Sequence, residues 1–359
     1  MAEERIKVLK KATADVRRMF EEFNIKPIHE LKYRLPRNNL IDFGVIIAHR
    51  DFDIILDEYH SGLKFSVVSG RGPSGPMHFG HLLVFNVVKF LQDLFGANVY
   101  IPLSDDEKLV FGKISSLEEG YFWALDNARI ILSLGFDKEK TKIYVSSRQK
   151  WVYRYALDVS RKLTLSIVKN AFGLDDSHNP GIAFYAAVQI VHILQPTIDT
   201  GQRVVVPIAL DQDVYMRIAR DVAERMRIPK PASLYIRFLP GLNGQPMSSS
   251  MPDTAIFVND SEEKIWHKVM KAFTGGQPTI EEQRREGGNP EKCIVFEWLK
   301  AFVFASPKEA EEHAQLCKNG DLVCGFDCKP LLARTLIKLA SDIRRRAGRI
   351  YLEDFLWEA

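Results

Sequence analysis

The stretch KFSVVSGRGPSGPMHFGHLLVFNVVKFLQDLF, residues 64–95, changes its apolar period in the middle. Its opening run, Lys64–Ser69, is β-branched and apolar, as a strand covered on both faces should be. From His81 the apolar residues recur at helical spacing. Between the two, glycines at 70, 72 and 75 let backbone approach a ligand closely, and Pro76 suits the first position of a helix. His78 and His81 are three apart and so share a helix face. They stand at an N-terminus whose free N–H groups attract phosphate. Two imidazoles there can donate hydrogen bonds to charge growing at phosphorus, and Gly80 leaves room for a flat base. The bland reading is a Gly/Pro loop followed by two ordinary histidines. Placement straight after the first strand and at the start of the first helix favours the functional one.

Working outward, four more runs read as strands: Asn98–Leu103, Lys142–Ser147, Arg203–Leu210 and Ser233–Phe238. Helical patterns lie between them: HLLVFNVVKFLQDLF, EEGYFWALDNARIILSLG, WVYRYALDVSRKLTLSIVKNAFG, FYAAVQIVHILQ and DVYMRIARDVAERM. Such alternation predicts an α/β fold, a Rossmann-like, doubly wound parallel sheet. After about residue 252 the β-runs stop. Asp260 and Glu263 have capping-box spacing before DSEEKIWHKVMKAF, and helices run on to the C-terminus. The expected domains are a helical extension over 1–60, a Rossmann-type catalytic domain over 61–251 and an all-α domain over 252–359.

In an open parallel sheet, ligands bind beyond the carboxyl ends of the strands. Here those ends carry Ser69–His81, Ser104-Asp105-Asp106-Glu107, Ser146–Gln149, Asp211-Gln212-Asp213 and Gly241–Ser250. Any one could be a turn; five at one edge point to a large polar ligand or to two ligands.

Composition is that of a soluble globular protein, and no apolar run reaches the roughly 20 residues of a membrane span. The N-terminus carries acids and lacks the apolar core of a secretory signal, so a cytoplasmic protein with no membrane is expected. The net charge of +3 does not announce a nucleic-acid binder. Basic residues do cluster at Lys7, Lys10, Lys11, Arg17 and Arg18, and again at Arg344, Arg345, Arg346 and Arg349. These clusters are either phosphate contacts or solvated helix faces. All four cysteines lie late, at 293, 317, 324 and 328. The spacing C-x6-C-x3-C matches no common zinc pattern, and free thiols, disulfides and a metal all stay open. No metal ligands are assigned.

Pro73–His81 reads P-x-G-x-x-H-x-G-H and resembles the signature of class I aminoacyl-tRNA synthetases. Pro246-Met247-Ser248-Ser249-Ser250 resembles their second signature, Lys-Met-Ser-x-Ser, after the last strand. From about residue 40 to 300 the chain resembles tryptophanyl-tRNA synthetases of the archaeal and eukaryotic type. The matching segments include AHRD (Ala48–Asp51), SGRGPSG, FLQDLFG, DDEK, AVQ (Ala187–Gln189), LDQD with RIARDVA, MSSS, and FTGG with IEEQRREGG; CKNGDLVCGFDCK looks like a segment of archaeal members. The resemblance implies ATP-dependent activation of tryptophan, with Mg2+ on the pyrophosphate, and transfer to tRNA(Trp) by a homodimer. It implies catalytic roles for His78, His81, Ser248, Ser249 and Ser250, and ATP contacts at Gly70, Arg71, Gly72, Ser74, Gly80 and Met247. Glu107, Gln189, Gln212, Val68 and Asp211 would border the amino acid, with Asp213 a weaker candidate that suits a structural role equally. Arg344, Arg345 and Arg346 would lie on an anticodon-binding helix.

Three positions depart from the family pattern. Val68 stands where a tyrosine is usual and Pro102 where a glutamine often is; both would help recognise the indole N–H. Ser104, Gln189 and His192 are candidate substitutes. Pro246 replaces a lysine, whose charge Arg71, Lys108 or a metal would have to supply. The rival readings are a tyrosyl enzyme on the same scaffold, a non-enzymatic nucleotide- or RNA-binding paralogue, and a small nucleotidyltransferase.

Overall fold

A computed structural model describes Phe20, residues 24–247 and residues 251–357. Ser248, Ser249 and Ser250 lie outside the described residues, as do Lys7, Lys10, Lys11, Arg17 and Arg18 and most of the expected N-terminal helix. The strands are β1 (Lys26–Pro27), β2 (Ile46–Arg50), β3 (Phe65–Val68), β4 (Asn98–Leu103), β5 (Thr141–Val145), β6 (Arg203–Ala209) and β7 (Ala232–Ile236). Five of them match the apolar runs. Tertiary contacts divide the chain into two compact bodies, and neither is a single stretch of sequence.

Body one comprises the described residues up to Arg37, Ile46–Val68 and Val152–Arg237. Its strands lie in the order β1-β2-β7-β6-β3. β3, β6 and β7 are parallel, while β2 runs antiparallel to both β7 and β1. The region read as a helical extension thus contributes two strands. Ile46–Arg50 is only five residues long and was hidden by the histidine and arginine at its end. The Pro180–Thr200 helix packs on β3 and β6. Contrary to the sequence expectation, this helix is long and apolar enough to span a membrane by length and composition. Its apolarity has a local cause, because 72% of its most apolar window is buried inside the protein. The pattern read as one helix from Trp151 to Gly173 is two, Lys150–Ser160 and Leu165–Phe172, the second capped by Thr164 Oγ1 on the Ile167 N–H at 3.3 Å.

A buried ion pair organises body one. Arg50 donates to both carboxylate oxygens of Asp213, at 2.6 and 3.2 Å, and Tyr235 Oη donates to the same carboxylate. Arg217 reaches it at 3.2 Å from the more exposed side. The Arg50 and Asp213 side chains are almost fully buried. Asp213 is therefore a structural residue rather than a ligand contact, and Arg50 of the AHRD segment belongs to the same core.

Body two comprises Asn38–Val45, Ser69–Trp151 and Phe238 onward. β4 and β5 pair in parallel. The chain end returns to this pair: Trp357 N donates to Ile143 O at 2.8 Å, and the Trp357 ring packs against Tyr144 and Trp151. After β7 the described residues hold helices and no further strand. The Cys328–Ala347 helix packs on the Glu262–Met270 and Ile294–Phe302 helices, with Trp298, Leu332 and Leu336 fully buried. The Glu262–Met270 helix is capped differently from the expectation. Ser261, not Asp260, caps Glu262–Met270 by accepting from Lys264 N at 3.1 Å. Asp260 is free to accept from Phe257 N and to pair with buried Lys268 at 2.7 Å.

Asp213→Ala takes the carboxylate away from a buried guanidinium and a buried phenol. Removing one partner of a buried pair costs about 3–5 kcal/mol, so the melting temperature is expected to drop by several degrees in a thermal scan. An unchanged melting temperature would mean that the pair contributes nothing to body one.

Candidate active site

The glycine-rich segment in body two is held as a continuation of strand pairing. Ser69 N donates to Tyr100 O at 3.2 Å, Arg71 N to Pro102 O at 2.9 Å, and Ser104 N to Arg71 O at 2.9 Å. This close approach explains Gly70: a Cβ there would lie 3.0 Å from both the Pro102 ring and the Pro102 carbonyl. Further along, Met77 and Phe79 pair with the segment after the serine loop, through Val258 N to Met77 O at 2.9 Å and Phe79 N to Ile256 O at 3.0 Å. The buried Asn127 amide donates to Gly75 O at 3.0 Å and pins the bend between the two pairings. Nothing in the sequence singled out Asn127.

The helix starts later than Pro76 suggests. His78 is its N-cap and Phe79 its first residue. The two imidazoles nevertheless meet: the His78 and His81 rings stack, with centroids 3.5 Å apart and planes 25° from parallel. His81 Nδ1 accepts from the His78 backbone N–H at 3.2 Å. That fixes the tautomer, because a neutral ring accepting at Nδ1 carries its proton on Nε2. His78 Nδ1 is buried and has no hydrogen-bond partner. Burial, reinforced by the Arg71 guanidinium, lowers His78 to about 3. Burial, Arg71, His78 and Lys108 hold His81 well below its usual value. Both rings are thus neutral at physiological pH, and His81 presents an N–H donor.

Positive charge comes instead from two other residues. The Arg71 guanidinium is buried, which lowers it to about 10 against the opposing pull of Glu107, and its Nε has no partner. Lys108 lies over the backbone of Gly72, where an added Cβ would fall 1.9 Å from Cε and 2.6 Å from Nζ. Its ammonium pairs with Glu107 at 3.0 Å. His78, His81, Arg71, Gly72, Glu107 and Lys108 thus form one cluster. The space above Gly80 is not open: the Met247 methyl occupies it, 2.4 Å from where a Cβ would sit. Ser74 is half-buried in the same loop. A base lying on Gly80 would have to displace that flexible thioether end. Asp105 and Asp106 are spent on structure, accepting from Ser147 and Ser146 at the end of β5.

In body one, Val68 is buried at the end of β3. Gln189 Oε1 accepts from Tyr185 Oη at 2.9 Å, one helical turn away, and His192 is buried on the same helix. Gln212 and Asp211 are exposed and hydrogen-bonded to each other at 3.1 Å. Of the arginines proposed for tRNA, Arg344 turns inward and donates to Val258 O at 2.6 Å and Asp260 O at 3.1 Å. It fastens the last helix to the loop behind the histidines, so it is a structural residue. Arg345 and Arg346 are exposed, next to Asp342.

A helix N-terminus carrying two neutral imidazoles, a buried guanidinium and glycine backbone is a site for a polyanion such as a nucleotide triphosphate. Comparison with known proteins agrees. Residues 61–341 match the family described as tRNA synthetases class I (W and Y), and the chain belongs to this family. Among individual relatives, the tryptophan–tRNA ligase of Pyrococcus furiosus is 39% identical over 94% of this chain and 89% of that protein. The tryptophanyl-tRNA synthetase of Giardia lamblia superposes with a TM-score of 0.88 at 30% identity, covering 97% of each chain. That of Aeropyrum pernix superposes at 0.87 and 32% identity, covering 94% of each. ATP is a substrate of the class.

Removing one preorganised donor from a charge-stabilising site costs about 10²–10³ in rate. Arg71→Gln keeps a polar, hydrogen-bonding side chain and removes the charge. It is expected to slow ATP–pyrophosphate exchange by that factor, with the circular-dichroism melt little changed. Exchange within a few-fold of the parent would show that Arg71 only fills space.

Proposed function

We propose that this chain activates tryptophan with ATP and transfers it, through tryptophanyl-adenylate, to the 3' end of tRNA(Trp). The observation that carries the reading is near-full-length similarity to tryptophan–tRNA ligases, at 37–41% identity, joined to a cationic cluster at the helix N-terminus. In the first step the tryptophan carboxylate attacks the α-phosphorus and pyrophosphate leaves. No covalent enzyme intermediate is needed, so the protein's task is positioning and stabilisation of phosphate charge. His81 Nε2–H donates to the phosphate oxygens. Arg71 and Lys108 supply the charge that Pro246 lacks, and Mg2+ accompanies the triphosphate. Ser248, Ser249 and Ser250 follow Met247 in sequence and are assigned to the pyrophosphate by their family motif alone.

Tryptophan rather than tyrosine rests on the relatives, because Val68 and Pro102 do not offer the usual polar partners. Pro102 instead packs on Gly70 and gives its carbonyl to Arg71 N. An indole N–H left unpaired costs about 1–3 kcal/mol. Gln189 Oε1 keeps a second lone pair beyond its bond to Tyr185, which makes it the favoured acceptor. Glu107 and Gln212 are assigned to the amino acid by their family motifs alone. The helices past residue 252 take the anticodon-binding role, with exposed Arg345, Arg346 and Arg349 facing phosphates. A cytoplasmic homodimer is the proposed working form.

ATP–pyrophosphate exchange measured with each of the twenty amino acids tests this. Exchange with tryptophan alone is expected. Exchange with tyrosine alone would transfer the assignment to the tyrosyl rival, and silence with all twenty in folded protein would select a non-catalytic paralogue.

A further inference from the structure

Lys108 reaches the histidine cluster from a helix, Asp105–Val110, that is only six residues long. Helices below about 12 residues are marginal in water by themselves, so this one is held by what it touches. Its first turn is tied to the end of β5. Asp106 accepts from Ser146 Oγ at 2.7 Å, and Asp105 accepts from Ser147 N at 3.0 Å. Both aspartates are buried. The Leu117–Leu132 helix packs close against the same turn, where a Cβ on Gly120 would lie 2.9 Å from the Asp105 Cβ. Where Lys108 stands therefore depends on where Ser146 and Ser147 stand.

Those two serines are held from the chain end. β5 pairs with β4 along one edge, and residues 355–357 run along the other. Ile143 N donates to Phe355 O at 3.2 Å, and Trp357 N donates to Ile143 O at 2.8 Å. The buried Gln149 amide closes the link. Its Nε2 donates to Trp357 O at 2.9 Å, and its Oε1 accepts from Trp151 Nε1 at 3.0 Å. Its backbone N–H donates to Ser146 O at 3.0 Å. The Trp357 ring centroid is 5.1 Å from that of Trp151 and 5.6 Å from that of Tyr144, and Lys142 Nζ lies 4.4 Å from it. Covering a strand edge does not by itself call for a buried amide that joins the cover to the turn beyond the strand.

We propose that residues 355–357 are a strap that positions the active site. Trp357 and Gln149 hold the turn after β5, and through Asp105 and Asp106 that turn holds Lys108 over Gly72. Trp357 and Gln149 are positioning residues that act through Lys108. The proposal rests on the reading that Lys108 serves the triphosphate.

Amide hydrogen exchange of the full chain, followed by mass spectrometry, reads the helix directly. Trp357→Ala is expected to speed exchange over residues 105–110 about tenfold, with the Pro180–Thr200 helix unchanged and Trp357→Phe near the parent. Gln149→Leu breaks the link at a second point and should act alike; if it fails to fold, Trp357→Ala decides alone. Loosening confined to residues 355–357 overturns the proposal. In ATP–pyrophosphate exchange, Trp357→Ala should lower kcat about tenfold, since a misplacement of about 1 Å can cost about 10²-fold. In a Lys108→Gln background the same change should cost less than about twofold, because the group it positions is gone. Equal losses in the two backgrounds also overturn the proposal. A parent chain that activates none of the twenty amino acids sinks the synthetase reading instead, and the amide result then decides the strap by itself.

Discussion

The chemistry of body two hangs on one short piece of backbone pairing, in which Arg71 gives its N–H to Pro102 and takes one from Ser104. This clamp extends the strand pattern past β3 into a segment that would otherwise be a loose glycine loop. It brings the backbone so close that a side chain at residue 70 would crowd the Pro102 ring and carbonyl. It also sinks the Arg71 guanidinium beside the two imidazoles. An arginine so placed, with one carboxylate nearby and an unpartnered Nε, is held at a cost. Desolvation of a charge amounts to several kcal/mol, and a phosphate ligand would offset it.

The same burial decides how the histidines can act. In water an imidazole would be partly protonated near neutrality, and two stacked imidazoliums would repel. Here the enclosure and the Arg71 charge keep both neutral, and the His78 backbone amide selects the tautomer of His81. The division of labour is then clear. Arg71 and Lys108 carry fixed charge, and His81 carries a directed donor that costs no reorganisation during reaction. The loss of the expected lysine at Pro246 falls on a site that already concentrates cations.

Much of this was readable in the sequence, for definable reasons. β-branched runs and helical periods reflect burial, so β3 to β7 and the first helix stood out. The histidine pair stood out because its spacing and its place after a strand coincide. Other features left no such trace. β1 and β2 are short and each carries basic residues, so the first 60 residues read as a helix and a connecting extension. The contact-dense bodies interleave segments distant in sequence, whereas composition changes only once, near residue 252. Arg344 looked like a phosphate contact because its neighbours are basic, yet its carbonyl partners at 258 and 260 are visible only in three dimensions. Asn127 is an ordinary residue in a helix until Gly75 arrives against it. The cysteine spacing pointed nowhere, since the four, unbridged, line one cavity only once three helices pack.

The claim that two neutral imidazoles with a fixed tautomer stand at the helix N-terminus can be measured directly. Protein labelled with 15N-histidine gives ring-nitrogen shifts that report charge and tautomer, and His81→Gln and His78→Gln assign the two rings among nine histidines. Between pH 8 and pH 5 both rings should stay neutral, with His81 protonated on Nε2 and unprotonated on Nδ1. A His81 ring that titrates near 6.5, or that carries its proton on Nδ1, would contradict the structure of the site and the chemistry drawn from it.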